Sequence, residues 1–200
     1  SDNFDRSLED VFAVQDEVAR AIVTSLEVHL GGPAGSAIVD RETQSLDAYN
    51  AYLLGRYYWN KRTMEDMIRA EEYFLDAIAA DSSYALAWSG LADTYALFAP
   101  SEYDVRTISG AEALDRGERA ARRAIAIDST LAEAHNALAA ILEKRLDFAG
   151  AERAFRRAIE LNPNYPTARQ WFGGLLVTMG RVDEGLARCS GRPSWIRSPW

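Results

Sequence analysis

Residues 132–163 read AEAHNALAAILEKRLDFAGAERAFRRAIELNP, and this stretch decides the fold. Its first half carries apolar residues at helical spacing, which places them on one face: Ala134, Leu138, Ala139 and Leu142. Its second half carries a second such set: Ala151, Phe155 and Ala158. Asn162 and Pro163 follow, and a proline at this place stops a helix. The stretch therefore predicts two helices followed by a turn.

The same signature recurs along the chain, with an offset of 34 residues between the copies that start at Ala134 and Ala168. The first set has three further copies: Ala168, Phe172, Gly173 and Leu176; Trp88, Leu91, Ala92 and Tyr95; and Ala51, Leu54, Gly55 and Tyr58. The second set recurs as Ala70, Phe74 and Ala77 before Asp81-Ser82, and in degenerate form as Gly117, Ala121 and Ala124 before Asp128-Ser129. This pattern indicates stacked helix pairs.

These residues resemble the tetratricopeptide repeat (TPR) family, whose helix pairs of about 34 residues carry W-x2-L-G-x2-Y and A-x3-F signatures. The resemblance implies an all-α fold, a right-handed α-solenoid of helix-turn-helix repeats with an extra N-terminal helix. The predicted array spans residues 46–190, with repeats at 46–83, 84–130, 131–164 and 165–190. Two insertions interrupt the even period, about three residues between the helices of the first repeat, near Asn60–Thr63, and about thirteen around Ala99–Ser109.

Local signals support these helices. Ser109-x-x-Glu112 and Thr130-x-x-Glu133 match the capping box, and Thr63-x-x-Asp66 is a weaker version. Small residues recur where the partner helix is expected to cross closely, since a larger side chain would overpack the contact: Gly55, Ala92, Ala139 and Gly173. No stretch of alternating polarity competes with the helical interpretation.

Residues 1–30 differ from the repeats and predict one amphipathic helix, capped by Ser7-x-x-Asp10. Its apolar stripe consists of Leu8, Val11, Phe12, Val18, Ile22, Leu26 and Leu30. Residues 31–45 form a linker that opens with glycines and a proline. Because burying such a stripe is favourable, we expect the helix to cover the first repeat or a second copy of the chain.

Residues 4–18 also resemble the junction helix that precedes TPR arrays in multidomain bacterial regulators, and residues 53–62 resemble the first repeat of those arrays. In such proteins a TolB-like domain precedes the helix. The output module is an adenylate or guanylate cyclase, a winged-helix domain or a kinase. The resemblance implies a piece of a larger bacterial signalling protein, in the cytoplasm, or in the periplasm where an upstream membrane helix is present.

Residues 191–200 break the repeat pattern, because Pro193 and Pro199 are incompatible with a helix interior. Three interpretations stay open. The segment is a tryptophan-bearing peptide that docks on a partner or on the chain's own groove, a sequence foreign to the repeats, or an irregular tail.

Composition and motifs argue against an enzyme. The 200 residues include one cysteine, Cys189, which excludes an internal disulfide and a multi-thiolate metal site. His29 and His135 lie far apart, and no HExxH, CxxC, nucleophile-elbow or dinucleotide motif occurs. We therefore expect no catalytic residues, no metal and no cofactor. No apolar run reaches the roughly 20 residues of a membrane helix.

Charge disfavours a nucleic-acid partner. Lysine and arginine number 22 against 30 acidic residues, a formal net charge of −8, which favours neutral or basic partners. The arginines of the second helices alternate with glutamates, so we expect salt-bridged outer faces: Arg116, Arg119, Arg122, Arg123, Arg153, Arg156 and Arg157.

In TPR proteins the first helices line a concave groove, and exposed positions there bind peptides. Carried over by position, the resemblance implies these binding residues: Tyr49, Tyr52, Arg56, Trp59, Asn60, Ser89, Asp93, Glu133, Asn136, Lys144 and Gln170. The same helices place Leu86, Leu97, Ala140, Glu143, Thr167, Gly174 and Val177 along the groove. The lysines and asparagines with which chaperone-tail-binding TPR domains hold a carboxylate are not reproduced, because Tyr52, Ser89 and Asp93 occupy this groove.

The leading hypothesis is a non-catalytic scaffold that binds a peptide or partner protein in the groove, with Tyr52, Arg56 and Trp59 as main contacts. For Tyr49 and Tyr52, packing against the N-terminal helix is the competing interpretation. The alternative function is a structural or dimerisation segment without a peptide ligand, joined through the N-terminal helix or the last repeat.

Overall fold

The computed structural model describes residues 43–98 and 108–189, which contain eight α-helices and no strand. The helices are α1 (Leu46–Lys61), α2 (Met64–Ala80), α3 (Ala85–Phe98), α4 (Gly110–Ile127), α5 (Ala132–Lys144), α6 (Phe148–Leu161), α7 (Pro166–Thr178) and α8 (Val182–Cys189). The all-α prediction is confirmed. The predicted N-terminal helix and the tail after residue 190 lie outside the described residues.

The chain divides into two compact units, residues 1–46 and 47–200, and nearly all of the described helices lie in the second. Within that unit, consecutive helices pack as pairs, α3 on α4, α5 on α6 and α7 on α8. The first helices also pack on one another, α3 on α5 and α5 on α7. None of the helices described is long and apolar enough to cross a membrane.

Glycines lie at close crossings between helices. The Phe74 ring lies between Gly55 and Gly90, and a Cβ atom on Gly55 would come within 2.6 Å of Phe74 Cε1. A Cβ atom on Gly185 would meet the Gly173 carbonyl oxygen at 2.6 Å, where α7 and α8 cross. Ala92 and Ala139 are fully buried. The predicted close crossings are therefore confirmed.

Three of the four predicted caps fall within the described residues, and two of these form. Thr63 Oγ1 and Ser109 Oγ accept from the backbone N–H groups at N3, each at 3.1 Å. The capping box predicted at Thr130 is wrong, because α5 begins after Leu131 and has no side-chain cap. Thr130 instead donates through its N–H and hydroxyl to Asp128 Oδ1, at 2.8 and 2.7 Å.

The turns within the first, third and fourth helix pairs have a common backbone form. Arg62 (φ 62°), Leu146 (φ 64°) and Gly180 (φ 79°) lie in the left-handed region, which favours glycine. The first turn spans only two residues, and the extra residues predicted between the first two helices instead lengthen the start of α2, which has 17 residues against 14 in α6.

Candidate functional site

We call the surface shared by α1, α3, α5 and α7 the inner face. The residues predicted to bind a ligand there differ widely in exposure. Asn60, Lys144 and Gln170 are exposed, and Tyr49, Tyr52, Arg56 and Glu133 are half-buried. The expected exposure is wrong for the remaining four, which are buried: Trp59, Ser89, Asp93 and Asn136.

Trp171 is the reason that this part of the inner face is closed. Its indole ring meets that of Trp59 with centroids 6.3 Å apart, so the first helix pair contacts the fourth. Trp171 also packs against Ala96, Ala140 and Ile141. Small residues on α3 and α5 leave the space that this large ring fills. Trp171 was not predicted from the sequence, although the alanines on the neighbouring helices α3 and α5 were a signal that a large side chain fits there.

Arg56 and Arg62 both stack on the ring of Trp59. The Arg62 guanidinium carbon lies 3.5 Å from the centroid of the Trp59 ring, and that of Arg56 lies 4.4 Å from it. Arg56 Nη1 also donates to Asp93 Oδ2 at 3.4 Å. Stacking on an aromatic face and an ion pair together hold the Arg56 head in place. Contacts within the chain therefore hold Arg56 and Trp59, whereas Arg62 covers the Trp59 ring from an exposed position.

Asp93 is the most unusual titratable group of the inner face. Burial raises the pKa of its carboxyl to about 7, against the opposing effect of Arg56 and Arg62. Glu133, on the next inner helix, adds to the rise. Burial also raises the pKa of Tyr165, to which the charge of Asp93 contributes. The carboxyl group of Asp93 thus titrates near neutral pH.

Several buried polar atoms of the inner face are unpaired. Among the described residues, no hydrogen-bond partner faces Trp59 Nε1, Ser89 Oγ, Asp93 Oδ1, or the side-chain oxygen and nitrogen of Asn136. An unpaired buried polar group costs about 1–3 kcal/mol. The inner face therefore holds hydrogen-bonding capacity that its own fold does not use.

The Tyr52 side chain packs against two other aromatic rings and is half-buried. Its ring lies 6.0 Å from that of Phe74 and 5.3 Å from that of Tyr84, measured between centroids. Tyr52 thus contributes to the packing of the first two helix pairs, and only part of the ring is exposed.

A pocket opens beside Trp171. Its volume is about 320 Å³, and its lining residues come from α3, α5 and α7: Ala96, Leu97, Ala140, Glu143, Lys144, Gln170, Trp171 and Gly174. A Cβ atom added at Gly174 would have no neighbour within 4 Å. Burial raises the pKa of Glu143, which is half-buried at the pocket. Lys144 and Gln170 are the two predicted binding residues that line it.

A family model for the tetratricopeptide repeat matches residues 132–165. This chain folds as a TPR solenoid. The TPR protein TTC0263 of Thermus thermophilus is 21% identical over 73% of this chain and 72% of its own, with a TM-score of 0.62. The Sgt2 TPR domain of Aspergillus fumigatus is 13% identical over 78% and 89%, with a TM-score of 0.53. At these identities the likeness shows the fold alone.

The first TPR domain of Spaghetti (RPAP3), solved with the HSP90 peptide SRMEEVD bound, is 15% identical over 70% of this chain and 98% of its own, with a TM-score of 0.52. A search of curated proteins found no match to the sequence. The comparisons indicate no enzyme family. The resemblance to multidomain bacterial regulators is not shown by them.

The second helices of the TPR pairs carry the expected salt bridges. Arg116, Arg122 and Arg156 each donate to a glutamate four residues earlier, at 2.6 to 2.7 Å. Arg181 joins two repeats by pairing with Glu152 at 2.8 Å. Many arginine heads on the outer TPR surface are therefore engaged by carboxylates of the same chain.

Proposed function

We propose that this chain is a non-catalytic interaction module that binds a peptide or partner protein on its inner face. The observation that carries the proposal is the pocket beside Trp171, where the inner face is open to a side chain. Pockets that combine apolar walls with a few polar groups are the usual form of a binding site. Exposed Lys144 and Gln170 at this pocket supply polar contacts for a partner's backbone.

Ser89, Asp93 and Asn136 are at most 1% exposed, so a partner bound on the inner face does not reach their unpaired polar atoms. The binding set predicted from sequence is accordingly revised. Glu143, Trp171 and Gly174 join it, and Trp59 becomes part of the support for Trp171.

The RPAP3 domain, which has the same fold, holds an HSP90 peptide. This chain is proposed to use the same general surface with a different chemistry, because its inner face carries Asp93 and Glu133 among the half-buried and buried positions. The bacterial signalling context and the cytoplasmic location expected from sequence belong to this proposal, with the chain acting as one part of a larger regulator.

A peptide-display selection on the full chain tests the proposed function. Enriched peptides should bind the wild-type chain and Gly174→Ala, and should lose at least tenfold in affinity for Gly174→Leu, whose side chain fills the pocket. Both variants replace a helical glycine, so they share the change in backbone propensity. Failure to enrich any peptide, or equal affinity for all three proteins, would contradict the proposal.

A second function, self-association as a structural segment, is favoured by one observation. Leu186 occupies the same repeat position as Glu152, 34 residues earlier. Glu152 contacts the following repeat by pairing with Arg181, whereas Leu186 is 60% exposed. Val177 and Val182 are also exposed on the last helix pair. Sedimentation equilibrium over a hundredfold range of concentration should then show a dimer that Leu186→Glu dissociates. A monomer at all concentrations would remove this alternative.

A further inference from the structure

We propose that the pocket beside Trp171 takes the side chain of an arginine from the bound peptide. This inference rests on the proposed function and names the chemistry of its ligand. Three features of the pocket carry it, and each corresponds to one part of an arginine side chain.

The walls of the pocket suit the aliphatic stem. Ala96, Leu97, Ala140 and Gly174 line it with carbon atoms, and the volume of about 320 Å³ gives a long side chain room to lie extended. Arginine buries its methylene groups along apolar surface while its head reaches a polar partner. A short polar side chain would leave these walls uncovered.

Glu143 supplies the negative charge for the head. In the described part of the chain its carboxylate has no hydrogen bond or ion pair, and Lys144 affects it only through its charge. The outer glutamates differ, because Glu112, Glu118 and Glu152 each pair with an arginine. A half-buried carboxylate without a partner is incompletely solvated, and an incoming cation would compensate it.

Trp171 supplies a flat surface for the guanidinium. The chain already stacks two arginines, Arg56 and Arg62, on the neighbouring Trp59. Over Trp171, by contrast, no cation lies in the residues described. Guanidinium groups stack on indole rings more readily than ammonium groups and donate in a planar fork to a carboxylate. The pocket therefore favours arginine over lysine.

Lys144 sets a limit on the ligand. Its exposed ammonium group lines the same pocket, next to Glu143 in the chain. A second cation beside the arginine would be repelled, whereas a carboxylate would be attracted. The favoured peptide therefore carries one arginine with a neutral or acidic neighbour, rather than a run of basic residues.

The test uses small blocked amino acids as probes, so it needs no identified partner. Nα-acetyl-arginine methylamide is titrated into the full chain, and the indole N–H resonance of Trp171 is followed by NMR, with Trp171→Phe for assignment. The resonance should shift and saturate. The corresponding citrulline probe, which lacks the charge, should bind at least tenfold more weakly, and the lysine probe should fall between them.

Variants complete the test. Glu143→Gln should weaken the arginine probe about tenfold and Gly174→Leu should abolish its effect, whereas Glu118→Gln, at a half-buried acid of the outer helix α4, should leave it unchanged. Equal shifts with leucine and arginine probes, unaffected by Glu143→Gln, would show that the pocket takes an apolar side chain. That result, or no shift with any probe, overturns the arginine proposal. The display selection decides the proposed function separately.

Discussion

The Phe74 ring occupies the space that a side chain on Gly90 would need, since a Cβ atom there would collide with the ring. Gly90→Ala should therefore lower the free energy of unfolding by about 1–3 kcal/mol, despite the gain of up to about 1 kcal/mol in helix propensity. Urea unfolding followed by circular dichroism measures the change. Phe74 is fully buried, so it has no room to retreat.

Gly174→Ala is the matched control, because it also lies within an inner helix but meets nothing within 4 Å. It should raise the free energy of unfolding by about 0.5–1 kcal/mol. Losses of equal size at both positions would mean that the close crossing at Phe74 is not responsible.

Ala139 and Ala140 are neighbours with different surroundings. Ala139 is buried in the cluster that contains Phe155 and Phe172, whereas Ala140 lines the pocket. Ala139→Leu should cost about 1–3 kcal/mol, because the packed cluster has no room for the added carbons. Ala140→Leu has the pocket on one side and Trp171 on the other, so it should cost less than Ala139→Leu. Similar urea midpoints for the two variants would contradict this assignment of the helix face.

Asp93 should make stability depend on pH. Its pKa in the folded chain, about 7, lies above its ordinary value of 3.8. The folded state therefore holds the proton more tightly, and the free energy of unfolding should fall as pH rises from about 4 to 7 and stay low above that range. The full shift corresponds to about 4 kcal/mol as an upper figure.

Asp93→Asn removes this titration while keeping the side-chain shape. Its free energy of unfolding should vary less between pH 5 and 8 than that of the wild type, and should exceed it at pH 8. Melts of both proteins across this range give the comparison. Parallel pH profiles would show that Asp93 keeps an ordinary pKa.

Leu146 combines a left-handed backbone with 72% exposure. Leu146→Gly should raise the free energy of unfolding by about 0.5–1 kcal/mol, because glycine adopts this conformation without a steric penalty and little packing is lost. The reverse change in the last turn, Gly180→Ala, should lower it by a similar amount. Thermal melts of the two variants should therefore shift in opposite directions.

The fold was largely predictable from sequence because the signals are local and repeated. The signature around Ala139 recurs around Gly173, and each copy needs only helical spacing and a small residue at the crossing. The cap at Thr130 was mispredicted because two local signals compete there. Asp128 binds Thr130 in the turn, which leaves Leu131 to precede the helix.

The candidate site was less predictable, because exposure on an inner face depends on residues far apart in the chain. Ser89 and Asn136 occupy positions that point inward in a TPR repeat, yet both are buried. No local spacing shows that Trp171 reaches Trp59. Glu143 and Gly174 were placed on the groove from sequence, and the pocket that they share emerged only with the helix packing.

The contact between Trp59 and Trp171 has a consequence for how the array loses its structure. In a solenoid each repeat touches only its neighbours, so unfolding proceeds as in a one-dimensional chain of units and can begin at either end. A contact between the first and fourth helix pairs links the two ends of this series of units. Fraying of the first pair then removes a contact from the last, so the terminal pairs melt together. Breaking the contact with Trp59→Ala should separate one unfolding transition into two.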